Sequence, residues 1–161
     1  MNQETYQFTY EVYNSINDLP EADAALLKQA QQSTQLSYAP YSHFHVGAVA
    51  KMSNGEIVRG SNQENASFPV GLCAERVLMS AATSLFPNVP IETIAISYKS
   101  DDIKSDHPVA PCGICRQSLQ ELEERLHQPI RLILGGMEGK VIVIPRASSL
   151  LPLAFTSDEL G

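Results

Sequence analysis

Three cysteines and one glutamate are the residues of this chain best suited to chemistry. Cys73-Ala74-Glu75 stands upstream of Pro111-Cys112-Gly113-Ile114-Cys115, and every cysteine of the protein lies in one of these two motifs. Three thiolates can hold a thiophilic ion such as zinc and leave its fourth position for water, while a nearby carboxylate moves that water's protons. The combination points to metal-assisted hydrolysis. A structural zinc site closes with four protein ligands. The histidines that might complete such a set are His43, His45, His107 and His127, and none has the short spacing to a cysteine that a zinc finger shows. An open, catalytic site is therefore expected.

The elements that must position these side chains are two helices. Both cysteine motifs fall where a helix is expected to begin. Unpaired backbone N–H groups and the helix dipole favour negative charge there, which helps a thiol become the thiolate a metal requires. Cys112 and Cys115 are three residues apart and share one helical face. Glu75 is two residues after Cys73 and points to a different face, so it is read as a group acting on bound water or substrate, not as a ligand. Three thiolates carry excess negative charge, which works against activation of metal-bound water. Arg76 lies on the same face as Cys73 and is expected to offset that charge by donating to ligand sulfurs, with Arg116 a weaker candidate.

Composition narrows the function further. The 161 residues suit one domain with a substantial core. No long apolar run suggests a membrane span, and Met1-Asn2-Gln3-Glu4-Thr5 lacks signal-peptide character. A cytoplasmic protein with reduced cysteines is expected, and the odd cysteine count argues against a disulfide framework. The net charge of −7 and the absence of a dense Lys/Arg run favour a small-molecule ligand over nucleic acid.

Residues 1–17 read as an N-terminal extension and 18–161 as the main domain. Within the extension Tyr6, Phe8, Tyr10 and Val12 alternate with polar residues, a period that suggests a half-buried strand at a sheet edge or subunit contact. A helix is expected from near Pro20 towards Leu36, broken by Tyr38-Ala39-Pro40. Strands follow at His45 to Met52 and Ile57 to Ser61, joined by the Asn54-Gly55 hairpin turn. A helix from about Cys73 to Phe86, a strand from Ile91 to Tyr98, a polar loop from Lys99 to Ala110 and a helix from Cys112 to His127 come next. Ile130 to Leu134 and Val141 to Ile144 form the last pair, antiparallel because their connection is short. The order α-β-β-α-β-α-β-β makes an α/β sheet with helices packed on it.

At this point the chain resembles a known family, the small homotetrameric zinc-dependent cytidine deaminases. Cys-Ala-Glu-Arg at 73–76 and Pro-Cys-Gly-x-Cys-Arg-Gln at 111–117 match its zinc motifs. Residues 38–48, 62–69 (Asn-Gln-Glu-Asn-Ala-Ser-Phe-Pro) and 150–155 (Leu-Leu-Pro-Leu-Ala-Phe) resemble its opening segment, nucleoside loop and C-terminal motif. The wider zinc-deaminase signature includes an all-cysteine ligand set and a glutamate that is not a ligand.

The resemblance implies a three-layer fold with a mixed five-stranded sheet and helices on both faces. It implies zinc on Cys73, Cys112 and Cys115, Glu75 as the proton carrier, and hydrolytic attack at C4 of a cytosine nucleoside in pyrimidine salvage. It implies that Phe44 walls the pyrimidine, that the Ala74 backbone and the Cys112 region bond the base, and that Asn62 and Glu64 contact the ribose. Phe155 is implied to close the pocket of a neighbouring subunit in a homotetramer. Phe68 stands where the family usually has tyrosine, so a hydroxyl is lost in that part of the substrate or intersubunit contact. The competing readings are an antibiotic deaminase of the blasticidin S type and, from another class, a zinc-stabilised binding module. A polynucleotide-editing deaminase is disfavoured by Cys73 in place of histidine and by the acidic charge.

Overall fold

Strands whose centres are buried on both faces, with bounded helical stretches between, build a six-stranded sheet. The computed structural model describes residues 1–160. In chain order the elements are β1 (Glu11–Tyr13), α1 (Glu21–Ser33), β2 (Phe44–Met52), β3 (Ile57–Ser61), α2 (Ala74–Leu85), β4 (Ile91–Ser100), α3 (Gly113–Leu126), β5 (Arg131–Gly135) and β6 (Val141–Ile144). The sheet order is β1-β6-β5-β4-β2-β3, and only β4–β5 is parallel. That parallel pair is bridged by α3, the crossover such a connection needs. β5 and β6 are antiparallel, as their short connection requires.

The sheet has one more strand than the five expected. Glu11, Val12 and Tyr13 pair antiparallel with Val143, Ile142 and Val141 and form an edge. The aromatic alternation begins at Tyr6, but hydrogen-bonded pairing begins only at Glu11, and Tyr6, Phe8 and Tyr10 stay exposed. Their rings lie in a row, tilted to one another by 51° and 41°, with centroids 6.4 and 6.0 Å apart. Period two therefore marks a segment able to pair, of which only the last three residues do. A capped turn joins this edge to the rest of the chain: the Ser15 side chain accepts from Asn17 N–H, and Asp18 accepts from Ser15 N–H.

Each face of the sheet carries its own core. Leu26, Leu27 and Ala30 of α1 pack on Val49, Ala95, Ile133 and Val143. Leu78, Met79 and Ala82 of α2, with Leu119 and Leu122 of α3, pack on Ala48, Ala50, Ile94, Ile96, Leu132 and Leu134. Neighbouring residues of one strand, Ile94, Ala95 and Ile96, thus enter opposite cores, as the pleat demands. Pro20 sits just before α1 as its N-cap residue and not inside it as a first helical residue. Gly55, at φ +88°, makes the turn between β2 and β3, where Asn54-Gly55 places it.

Two contacts fix the elements near the cysteines. Gly60 of β3 lets the sheet meet the first turns of α2 backbone to backbone; a Cβ there would lie 2.4 Å from the Ala74 carbonyl oxygen. At the far end of α3, buried Glu123 accepts from the N–H groups of Ile130 (2.8 Å), Ala147 (3.0 Å) and Ser148 (3.3 Å). One carboxylate thereby ties α3 to the start of β5 and to the C-terminal segment.

Candidate active site

Cys73 is the N-cap of α2 and Cys112 the N-cap of α3; Cys115 lies in the first turn of α3. Neither cap residue uses its side chain to bond the helix. The thiol groups are instead turned towards one another across the two helix ends. Sγ of Cys112 is 3.7 Å from that of Cys73 and 3.6 Å from that of Cys115. All three sulfurs lie within 4.8 Å of one another. These separations are far too long for disulfides. They match the edge of a tetrahedron around zinc, about 3.8 Å for a Zn–S bond of about 2.3 Å.

The cysteines form the one such ligand cluster among the described residues, and no histidine joins it. His127 caps the far end of α3, His45 faces Asp101 and Ser37, and His107 meets Tyr98 and Asp106. The donor set is therefore three soft ligands, suited to a thiophilic cation with a free coordination position. Cys115, Cys112 and the Arg76 charge hold the Cys73 thiol down to about 6, against the effect of burial. Cys115 is pushed up, first by its contact with Cys73 and then by burial. Between Cys73 and Cys115 the first proton leaves from Cys73.

Glu75 occupies the first turn of α2 and is only 5% exposed. Burial pushes its carboxyl up, and the neighbouring Cys73 adds to this. A carboxyl so placed is suited both to take and to return a proton. Intrahelical bonding in α2 starts at Val77 N–H to Cys73, which leaves the N–H groups of the first turn free of helical partners.

Cys73, Ala74, Glu75 and Cys112 line a pocket of about 740 Å³ together with Phe44, Asn62, Glu64 and Phe68. Every one of these was singled out in the sequence. The 62–65 loop reaches the site because Gln63 and Leu72 exchange backbone hydrogen bonds of 2.9 Å, while Tyr38 donates to Asn62 and accepts from Glu64. Asn62 accepts from Val46 N–H and donates to the Phe44 carbonyl, both at 2.8 Å. Its amide thus pins the start of β2. Glu64 accepts from Tyr41 N–H (2.9 Å), Ser42 N–H (3.3 Å) and the Ser42 hydroxyl. Partial burial raises its carboxyl, but these bonds outweigh that and hold it below the usual range.

Three residues stand elsewhere. Phe155 is 58% exposed and outside the pocket of its own chain; Gln117 donates to its carbonyl at 2.9 Å. Arg76 acts on Cys73 through charge and makes no hydrogen bond to a sulfur; its side chain lines a crevice between α2 and α3. Arg116 is already committed, since its guanidinium donates to the carbonyls of Pro111 (2.8 Å) and Leu150 (3.1 Å). It braces the loop before Cys112 and is not a partner of the sulfurs.

Tyr98 is a pocket residue that the sequence alone did not expose. It belongs to an apolar strand, and only the register Val46↔Tyr98 brings it to the Phe44 face of the sheet.

Residues 20–127 match the family model described as the cytidine and deoxycytidylate deaminase zinc-binding region. The cytidine deaminase of Halalkalibacterium halodurans is 38% identical over 136 residues, covering 84% of this chain and 96% of that protein. The crystal structure of cytidine deaminase from Burkholderia pseudomallei superposes with a TM-score of 0.72 at 34% identity, covering 85% of this chain and 100% of that one. Cytidine deaminase from Mycobacterium tuberculosis gives 0.62 at 30% identity, with 81% and 94% covered.

Proposed function

The chain belongs to the family of cytidine and deoxycytidylate deaminases defined by this zinc-binding region, and from that premise we infer that it is a cytidine deaminase. It converts cytidine and 2′-deoxycytidine, with water, to uridine and 2′-deoxyuridine and ammonia. The observation that carries this is the zinc-compatible spacing of the three sulfurs beside a buried carboxyl, at the base of a pocket large enough for a nucleoside.

Cys73, Cys112 and Cys115 would hold the zinc, which when bound supplies Lewis-acid activation of water at neutral pH. Glu75 takes a proton from the attacking water and delivers it to N3 of the pyrimidine. A second proton, from the new C4 hydroxyl, passes through Glu75 to the amino nitrogen, which leaves as ammonia when the C4–N bond breaks. Burial favours this traffic, because a carboxyl with a raised pKa gives up a proton and regains it at small cost. The Ala74 N–H and the Cys112 region bond the base, and Phe44 stacks on it. Arg76 tempers the charge of the thiolates. Asn62 and Glu64 retain hydrogen-bonding capacity beyond their backbone contacts and receive the ribose hydroxyls.

The charges around the pocket favour a free nucleoside over its 5′-phosphate. Among the described residues its lining carries the carboxyl groups of Glu64 and Glu75 and the thiols of Cys73 and Cys112, and no Lys or Arg. A phosphate would meet acidic side chains and no cationic one, a repulsive arrangement in a partly desolvated site.

The active assembly is a homotetramer with shared pockets. Support comes from Phe155, exposed and outside its own pocket, and from Phe68, 74% exposed at the pocket lining with its ring T-shaped to that of Tyr41. Both are apolar surfaces that a neighbouring subunit would cover. The enzyme would serve pyrimidine salvage in the cytoplasm, and among the described residues no helix is long and apolar enough to cross a membrane.

The test is direct. Purified protein is mixed separately with cytidine, deoxycytidine, CMP and blasticidin S, and ammonia release or the ultraviolet change is followed. Turnover of both nucleosides with little of CMP is expected; turnover of blasticidin S alone would move the assignment to the antibiotic deaminases. Sedimentation of an active monomer would defeat the shared pocket.

A further inference from the structure

Phe44 and Tyr98 stand on adjacent antiparallel strands. Val46 pairs with Tyr98 and Phe44 with Ser100, so the two aromatic residues are diagonal neighbours on one face of the sheet, within reach of each other. Their rings are stacked, with centroids 4.9 Å apart and planes inclined by 15°. Tyr98 is fully buried and lines the same pocket. The backbone of Phe44 is already held by Asn62 Nδ2 at 2.8 Å. Its ring is held by Tyr98 from the side.

Tyr98 is itself anchored. Its hydroxyl lies 3.2 Å from His107 Nδ1 and 3.4 Å from Nε2, with the Lys104 carbonyl a further acceptor at 3.4 Å, and Asp106 holds the imidazole through Nδ1 at 3.1 Å. The His107 ring meets the Tyr98 ring edge-on at 5.7 Å. The loop that carries His107 is fastened to the sheet: Ser100 N–H donates to Ser105 Oγ at 3.0 Å, and Met137 N–H donates to the Ser105 carbonyl at 2.7 Å. The same loop continues through Val109 and Ala110, which line the pocket, to Pro111 and Cys112.

We propose that Tyr98 is a positioning residue for the pyrimidine, a backing ring that holds Phe44 flat against the base and is itself held by His107. The proposal rests on Phe44 being the base wall. Free Phe44 would turn about its side-chain torsions, and each substrate would pay to order it. Stacked on a buried, anchored ring, it is ordered before substrate arrives, which improves affinity without a new contact. Tyr98 touches no reacting atom, so its contribution falls on binding and not on the chemical step.

The experiment compares KM and kcat for cytidine, and Ki for uridine, in wild type, Tyr98→Leu, His107→Ala, Phe44→Ala and the double variant Phe44→Ala/Tyr98→Leu. Leucine fills most of the buried volume but has no ring to stack. Tyr98→Leu is expected to raise KM and Ki together, about 3- to 10-fold, with kcat within about twofold of wild type. His107→Ala, a change at a half-exposed side chain, is expected to raise both in the same sense by a smaller factor. In the Phe44→Ala background Tyr98→Leu should add nothing, because the ring it positions is gone. A rise in KM for Phe44→Ala with none for Tyr98→Leu or His107→Ala overturns the proposal and leaves the base wall standing. Effects that multiply in the double variant overturn it as well. An unchanged KM and Ki for Phe44→Ala would instead remove the base wall, and this inference with it. Should Tyr98→Leu prove unstable, the pair His107→Ala and Phe44→Ala/His107→Ala decides by the same criteria.

Discussion

Gly60→Ala is a one-carbon change that should damage the active site without touching substrate. A Cβ on Gly60 would sit 2.4 Å from the Ala74 carbonyl oxygen, 2.6 Å from Leu78 N and 2.8 Å from Leu78 Cβ. Two of these neighbours are backbone atoms, so no side-chain rotation relieves the clash. An ordinary contact needs about 3.5 Å, which means that β3 and α2 must separate by about 1 Å. β3 is hydrogen-bonded to β2 along its length, whereas the first turn of α2 ends in a loop. The helix start is therefore the part that moves, and it carries Cys73, Ala74 and Glu75. Overpacking of this kind costs about 1–3 kcal/mol, a fall in Tm of about 3–10 °C for a chain of this size. A displacement of about 1 Å between catalytic groups costs on the order of 100-fold in rate. The assays are thermal melting, metal content and kcat/KM for cytidine. Wild-type melting and activity would show that β3 does not press on α2 as described. A lowered Tm with unchanged kcat/KM would show that the strain is taken up away from Cys73 and Glu75.

Glu75→Gln should keep its metal yet lose about 100-fold or more in kcat, since the amide preserves shape but cannot carry protons; near-normal turnover in a metal-replete variant would refute the assigned role. Glu123→Ala removes the acceptor of the buried Ile130 N–H and of the half-buried Ser148 N–H, while Ala147 N–H keeps the Ile130 carbonyl at 2.9 Å, and should cost about 1–3 kcal/mol in denaturant unfolding, with Glu123→Gln less affected. A loss below about 1 kcal/mol would show that water or a shift of the segment replaces the carboxylate. Protons compete with metal for thiolates. With the Cys73 thiol held down to about 6, its thiolate persists above that pH and is lost below it. Metal should be stripped by chelator far faster at pH 5 than at pH 7, and equal retention at the two would contradict this.

Much of the site was legible because its signals are local. A cysteine followed by a good helix-forming run marks a helix start, and both cap positions fall where expected, at Cys73 and Cys112. The spacing of Cys112 and Cys115 fixes their common face whatever the rest of the chain does. Asn54-Gly55 specifies its turn in the same way. The order of elements, the chemistry of a three-thiolate centre and the character of Glu75 as a non-ligand carboxyl all follow from residues within a few positions of one another.

Other features depend on residues far apart in sequence, and no local pattern encodes them. Cys73 meets Cys112 only because the sheet order brings the starts of α2 and α3 to one place, 39 residues apart along the chain. Burial of Glu75, which gives its carboxyl a raised pKa, depends on what packs over the first turn of α2. Arg116 looks like a partner for the sulfurs in sequence but is claimed by the carbonyls of Pro111 and Leu150. Tyr98 reads as one more residue of an apolar strand until the β2–β4 register sets its ring against Phe44. Helix caps and periodicity act over one or two turns, so sequence alone determined which groups could do the chemistry. Strand register and burial are settled by the whole chain at once, and only the tertiary structure decided which of those groups face one another.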